Sequence, residues 1–408
     1  MVSLFLPPQS STARATPLPY TASPWKLMWE DLLLAFRSAW AIPGLFWPLT
    51  GYNPDGLDEL YPSLGNIGNI AFHAVLSILQ IIFLISIPIG FACMVPALWI
   101  TAYVTSFLSA NRLLCDIFLN RGPRVLTSRT PELEDPGHSN EHWIFINGIA
   151  TGQRWLQANL DRLGYTFGRR VTGLHNSTYG LIFDLIQCVI QRDFSYATED
   201  VRTAYAHTRE ALLDQKYTKV VLIVHSQGGI EGGLVADWLL DGIPQGLLRK
   251  LEIYTFASAA NHFNNPYRSV PEDQKLPPPQ TGARRQERNE DEYNTILHIE
   301  HYANSREFVS VFGVLNFIST PNRFMGQLFV RQGSGHMFNQ HYMNTMFALG
   351  QDNRVLESND FMDTEIEDPG NTDTLNPPQS RKVKDLSRLW LYKNGGSPKD
   401  QPDFKLVS

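Results

Sequence analysis

One stretch of this 408-residue chain lacks charge altogether: between Glu59 and Arg112 there is no Asp, Glu, Lys or Arg. A basic excess is also missing. Lys and Arg total 34 against 40 Asp and Glu, a net charge of −6, which disfavours a general nucleic-acid binder, since that needs a basic stripe to meet a phosphate backbone. Cysteine is scarce: the three present, Cys93, Cys115 and Cys188, lack paired spacing, excluding a disulfide framework and a cysteine-rich zinc site. A reducing compartment is the simpler expectation. The opening residues carry no basic segment, and Pro7-Pro8 cuts their apolar run below the roughly 7–15 residues of a secretory leader core, so no cleaved leader is expected there. Hydrophobic residues at 43% and aromatics at 12% exclude a disordered chain.

From Ala71 to Leu108 the only strongly polar side chains are His73 and Gln80. As one straight helix, 71–108 would run roughly 57 Å, nearly twice the ~30 Å hydrocarbon thickness of a bilayer. Pro88-Ile89-Gly90 and Pro96 interrupt it, so the segment is expected to form a helical hairpin or a span followed by an interfacial helix. A buried helical pair in a soluble core is the competing reading. The arginines that follow, Arg112, Arg121, Arg124 and Arg129, would by the positive-inside tendency hold the next domain in the cytosol.

The chain thus divides into an N-terminal region 1–69, a membrane-associated segment 70–108, a linker 109–139, a domain 140–350 and an acidic, proline-rich tail 351–408. Within 140–350, short β-type runs alternate with helical ones, the pattern of a mostly parallel sheet covered on both faces. Strands are predicted at 142–147, 170–175, 219–225, 251–257, 295–302 and 327–331, and helices at about 152–163, 179–191, 198–214 and 228–241. Val220-Val221-Leu222-Ile223-Val224 is continuous rather than alternating, as in a strand buried on both sides. Residues 264–293, rich in Pro, Gln, Arg and Glu, read as a polar insertion. The stripe Leu181, Ile182, Leu185, Ile186, Val189 and Ile190 is most simply core, with the lining of an acyl pocket as the alternative. Asn176 begins a sequon, but reads more simply as a strand-end cap.

Chemistry is concentrated at Val224-His225-Ser226-Gln227-Gly228-Gly229, which follows the apolar strand and precedes a helical run. A serine on such a sharp turn presents its hydroxyl above the sheet, and a small residue after it lets the helix pass close to the strand. The hydroxyl needs a base, and the base an orienting acid. His336, in the glycine-flanked Gly333-Ser334-Gly335-His336 after the last predicted strand, is the expected base, with His341 as competitor. Glu307, just past the penultimate strand, is the expected acid, ahead of Glu300 and Asp273. Two backbone N–H groups are expected to hold an oxyanion, that of Gln227 after the nucleophile and that of Ile149 in Asn147-Gly148-Ile149-Ala150.

The turn at Ser226 resembles the G-x-S-x-G elbow of α/β-hydrolases, with Val224 where that pattern has its first glycine, and the Asn147 loop resembles the H-G-x-x-G loop of lipases with Asn in place of His. Together the motifs over 140–350 look like a fungal-type lipase or serine esterase of the α/β-hydrolase superfamily. The resemblance implies an α/β-hydrolase fold and ester hydrolysis without metal or organic cofactor. An apolar ester or lipid is the expected substrate and a membrane the expected partner, with no nucleic acid. An ester or thioester hydrolase or cyclase of secondary metabolism, an acyltransferase and a catalytically inert membrane scaffold are the alternatives.

Overall fold

A computed structural model describes residues 2–9, 19–49, 56–129, 136–269, 292–367 and 381–398. Its centre is a nine-stranded mixed sheet. In chain order the strands are β1 (Val2–Leu6), β2 (Val125–Thr127), β3 (Glu141–Ile146), β4 (Val171–Leu174), β5 (Lys219–His225), β6 (Leu251–Phe256), β7 (Tyr267–Ser269), β8 (Glu292–Asn294), β9 (His298–Asn304), β10 (Gln327–Arg331) and β11 (Glu365–Glu367). The sheet order is β11-β1-β10-β9-β6-β5-β3-β4-β2, while β7 and β8 pair as a separate antiparallel ribbon. The run from β10 to β4 is parallel throughout, and β2 and β1 join it antiparallel at its two ends.

Among the described residues, seven helices have 13 residues or more: α1 (Pro24–Ser38), α2 (Leu64–Ala92), α3 (Ala97–Phe118), α4 (Gln153–Phe167), α5 (Leu181–Asp193), α6 (Glu199–Leu213) and α7 (Gln227–Gly242), the last four alternating with the strands. Every residue of β5 is buried, because helices cover both faces of the sheet. Val220, Leu222 and Val224 pack with Val201, Leu212 and Val235 of α6 and α7. Val221 and Ile223 point the other way, to Leu156, Leu160 and Phe167 of α4, as the two-residue period of a strand dictates.

Three of the expected boundaries are corrected. The N-terminal region is not a separate unit, because β1 inserts between β10 and β11. The tail, expected from its acidic residues and prolines to be weakly structured apart from a docking helix at 386–392, is ordered in its described part: β11 joins the sheet, and Phe361, Met362, Leu389, Trp390 and Tyr392 are buried against the α4 face, the last three in the short helix Leu389–Gly395. The linker 109–139 begins inside α3 and contains β2. Local propensity concealed all three, since a three- or five-residue strand is stabilised only by distant partners. Most of the expected insertion, 270–291, lies outside the described residues, as does Asp273.

The uncharged run forms two antiparallel helices. Helix α2 continues through Pro88, and the chain reverses at Cys93–Pro96, where Met94 takes a positive φ of 55°. The two helices touch along their length, with the Phe83 and Phe107 rings stacked at 4.0 Å. Gln80 and Asn111 anchor the pair: Gln80 Nε2 donates to Asn111 Oδ1 (2.9 Å), and both amides donate to the Tyr179 carbonyl (2.6 and 2.8 Å). Among the described residues, one helix, Leu64–Ala92, is long and apolar enough to cross a membrane.

The α5 stripe overturns its expected core role. Leu185, Ile186, Val189 and Ile190 are exposed, while Asp184, Gln191, Arg192 and Asp193 are buried.

Candidate active site

Ser226, Ile149, Glu307 and His336 all sit just beyond the carboxyl ends of parallel strands, following β5, β3, β9 and β10 respectively. That end of a doubly covered parallel sheet is where ligands meet an α/β fold.

Ser226 leaves β5 with φ 58° and ψ −120°, a conformation sparsely populated by L-residues. Its neighbours hold it there. Its N–H donates to the Phe256 carbonyl (3.0 Å), and its own carbonyl accepts from the Gly229 and Ala259 N–H groups (2.9 and 3.1 Å). A Cβ on Gly228 would stand 2.5 Å from the Ile146 carbonyl oxygen, so only glycine lets α7 start this close to β3. Val224, in place of the pattern's first glycine, is accommodated from the helix side: a Cβ on Gly232 would come within 3.0 Å of Val224 Cγ1.

The side chains expected to act together are in contact. His336 Nε2 lies 3.0 Å from Ser226 Oγ, and His336 Nδ1 lies 3.1 Å from Glu307 Oε2. A carboxylate can only accept, so Nδ1 carries the proton and Nε2 presents its lone pair to the serine hydroxyl. Glu307 also caps the short helix Phe308–Phe312, accepting from the N–H of Val309 (3.0 Å) and of Ser310 (2.5 Å).

The two expected oxyanion donors are placed differently. The N–H of Gln227, at the first position of α7, has no acceptor within the helix. The N–H of Ile149 has no acceptor among the described residues, whereas that of the next residue, Ala150, donates to Asp184 Oδ2 (2.9 Å). A Cβ on Gly148 would lie 2.5 Å from Ser226 Cβ, so this loop runs directly against the serine.

Several supporting residues were not foreseen. Asp184 is buried in the first turn of α5, accepting from Ala150 N–H, Thr178 Oγ1 (2.6 Å) and Tyr179 N–H (2.8 Å). Burial pushes its carboxyl up to about 6 despite these donors. The Gln227 side chain is fixed from both ends, Nε2 donating to Gln191 Oε1 (2.8 Å) and Oε1 accepting from Asn176 Nδ2 (2.6 Å). Asn147 Oδ1 in turn accepts from the Asn176 N–H (3.0 Å), tying the ends of β3, β4 and β5 together. Asn176 is therefore a buried strap, with its amide occupied.

His225 is buried and donates from Nε2 to the His336 carbonyl (2.8 Å). Burial, reinforced by the neighbouring His336, holds its imidazole well below the ordinary range and hence neutral. It positions the histidine loop and does not reach Ser226 in the way His336 does. The competitor His341 is committed elsewhere, with Nε2 on the Pro48 carbonyl (2.8 Å) and Nδ1 accepting from Met337 N–H (2.9 Å). Glu300 accepts from His298 (2.8 Å) and from the backbone of Arg388 (2.6 Å), so it anchors the C-terminal segment.

The N-terminal region contributes in a way no motif signalled. Gly44 and Leu45 accept from the N–H groups of Gly335 (2.7 Å) and His336 (3.1 Å). A Cβ on Gly44 would meet the Arg306 carbonyl oxygen at 1.9 Å. The segment that ends at Leu45 is thus wedged between the loops carrying the acid and the base. Comparison with models of protein families, with curated proteins and with solved structures finds no match.

Proposed function

We propose that this protein is a serine hydrolase with an α/β-hydrolase fold that cleaves carboxylic esters of lipids or other apolar alcohols and acids through an acyl-enzyme on Ser226. The observation that carries the reading is the hydrogen-bonded chain from Ser226 Oγ through His336 to Glu307. The chain order of serine, acid and histidine, the position of each after a parallel strand, and the strained turn at Ser226 support the same assignment.

In this reading Ser226 Oγ attacks the acyl carbonyl while His336 Nε2 takes its proton. Glu307 steadies the imidazolium, and the N–H groups of Gln227 and Ile149 receive the charge that develops on the carbonyl oxygen. Collapse expels the alcohol, which takes the proton from His336; water repeats the sequence to release the acid and restore Ser226. None of these steps calls on a metal or an organic cofactor.

The apolar hairpin supports a membrane setting. Its two ends return to the same body, where Asn66 Nδ2 donates to the Asp58 carbonyl (3.1 Å) and Gln153 N–H donates to that of Leu119 (2.8 Å). Arg112, Arg121, Arg124 and Arg129 follow the uncharged run in the sequence and favour placement of its base on the cytosolic side. An ester that partitions into the bilayer is then concentrated where the site is.

Covalent labelling by a fluorophosphonate probe tests the nucleophile. The full-length protein is expected to label and Ser226→Ala is not. Equal labelling of the two would remove the assignment and leave an inert scaffold as the better reading.

A further inference from the structure

Three neighbouring helices turn large apolar faces outward. On α1, Leu27, Asp31, Leu34 and Ser38 face the protein, whereas Trp25, Trp29, Leu32, Leu33 and Phe36 are exposed on the opposite side, Trp25 at 69% and Phe36 at 83%. Lys26, Glu30 and Arg37 form a third, charged flank. At 100° per residue these sets fall on three separate stripes. The acid turned inward has a strong partner: Asp31 Oδ2 lies 2.6 Å from Arg192 Nε, and Arg192 Nη2 donates to Asp31 Oδ1 (3.0 Å). The same Arg192 belongs to α5, which turns Leu185, Ile186, Val189 and Ile190 outward and buries Asp184 and Gln191 on the opposite side, with Arg192 and Asp193 covered at its last turn, where Arg192 meets Asp31. Helix α2 likewise turns Ile78, Ile82, Ile85 and Ile89 outward, while its inner face mixes Asn66, His73 and Gln80 with Leu76 and Phe83.

Water selects the reverse arrangement, because burying apolar area is the main driving force of folding. The outer faces of α1 and α5 adjoin, the Trp25 ring meeting the edge of Phe194, at the end of α5, at 5.7 Å, while α2 packs against α5 from its inner side, the buried Phe83 meeting Phe183 at 6.1 Å. Beyond the Gln80 anchor, residues 81–92 extend only roughly 18 Å, less than the ~30 Å hydrocarbon core. With both ends returned to the body, a hairpin of this reach can enter one side of a bilayer and return to the same side. Helix α1, apolar on one stripe and charged on the adjacent one, has the build of a helix lying in that boundary.

We propose that α1, the turn Ala39–Leu45 after it and the outer face of α5 rest in the headgroup–acyl boundary of a lipid bilayer as one surface with the α2–α3 hairpin. Ser226 then takes its substrate from that surface: an ester lipid whose acyl chain remains in the membrane. The second half rests on the reading of Ser226 as nucleophile; the first does not. The link between them is structural. The His336 loop hangs on Gly44 and Leu45, and the Ile149 loop hangs on Asp184 of α5, so both walls of the site are carried by the elements that present the apolar surface.

The test uses the full-length protein in phosphatidylcholine vesicles. Nitroxides placed by Phe36→Cys or by Glu30→Cys, in a Cys93→Ser, Cys188→Ala background, report collision with oxygen and with a water-soluble nickel chelate. Phe36→Cys is expected to favour oxygen and Glu30→Cys the chelate. Equal access of the chelate to both overturns the membrane surface, and so does strong spin–spin broadening at Phe36→Cys, which would assign the face to a second copy of this chain.

The substrate half is read from Trp25→Ala/Trp29→Ala/Phe36→Ala. At least a tenfold loss on a long-chain ester embedded in vesicles is expected, with hydrolysis of a water-soluble acetyl ester unchanged. Equal losses on both esters overturn it. Failure of the wild-type protein to react with a fluorophosphonate would defeat the nucleophile and with it the substrate half, while the nitroxide data would still decide the membrane half.

Discussion

Glu307 carries two jobs that substitution can separate. Its carboxylate caps the helix Phe308–Phe312 through Val309 and Ser310, and it also accepts from His336 Nδ1 at 3.1 Å. Glu307→Asp keeps a good N-cap but shortens the arm by one methylene, about 1.5 Å, which takes the carboxylate out of reach of the imidazole. A charge-assisted hydrogen bond contributes about 1.5–3 kcal/mol, so fluorophosphonate labelling is expected to slow by roughly 10- to 150-fold while the cap's share of the stability is kept. Glu307→Gln goes further. Its amide N–H₂ must face either the backbone donors or Nδ1–H, and turning the imidazole to the wrong tautomer costs on the order of 10³–10⁴ in rate. Glu307→Ala loses both jobs, and the missing cap alone lowers stability by about 1–2 kcal/mol. Stopped-flow labelling and a thermal melt on the same preparations separate the outcomes. Labelling of Glu307→Asp at the wild-type rate would mean that this carboxylate does not orient His336. Rates that fall only in proportion to stability would reduce Glu307 to a helix cap.

Three other perturbations are worked from the same contacts. Ser226→Gly relieves the φ 58° conformation and is expected to raise stability by about 1 kcal/mol in urea titrations while abolishing labelling; a destabilised glycine variant would show that the turn is unstrained. Burial pushes Glu59 from 4.5 up to about 7, although it accepts from Asn339 and Gln340 N–H. The folded state then holds this proton more tightly than the unfolded chain, so stability is expected to fall by about 3 kcal/mol as pH rises from about 4.5 to about 7, and Glu59→Gln should flatten that slope. Asn111→Leu and Gln80→Leu each break the hydrogen bond between the two buried amides and are expected to cost about 1–3 kcal/mol, and because that shared bond is lost in either single variant the double variant should cost less than the sum; strict additivity would show that the two amides do not act as one anchor.

What the sequence determined by itself is what local chemistry enforces. A continuous apolar β-branched run, a serine between it and a glycine-rich helix start, and a histidine among glycines are readable because each depends on its immediate neighbours. The alternation of strands and helices over 140–350, the positions of Ser226, Glu307 and His336 after β5, β9 and β10, and the lack of charge in α2 all follow from such signals. The tertiary structure decided what depends on distant partners. Five residues at the N-terminus become a strand only because β10 and β11 lie on either side of them. Gly44 matters because the Arg306 carbonyl packs against it. Asp184 and Asn176 hold the site because folding brings them to Ala150, Asn147 and Gln227. The α5 stripe is the sharpest case: its periodicity reveals an apolar face, but periodicity is the same whether that face meets a core or a bilayer. Only the inward turn of Asp184 and Arg192, toward partners contributed from 150 and 31, fixed the direction.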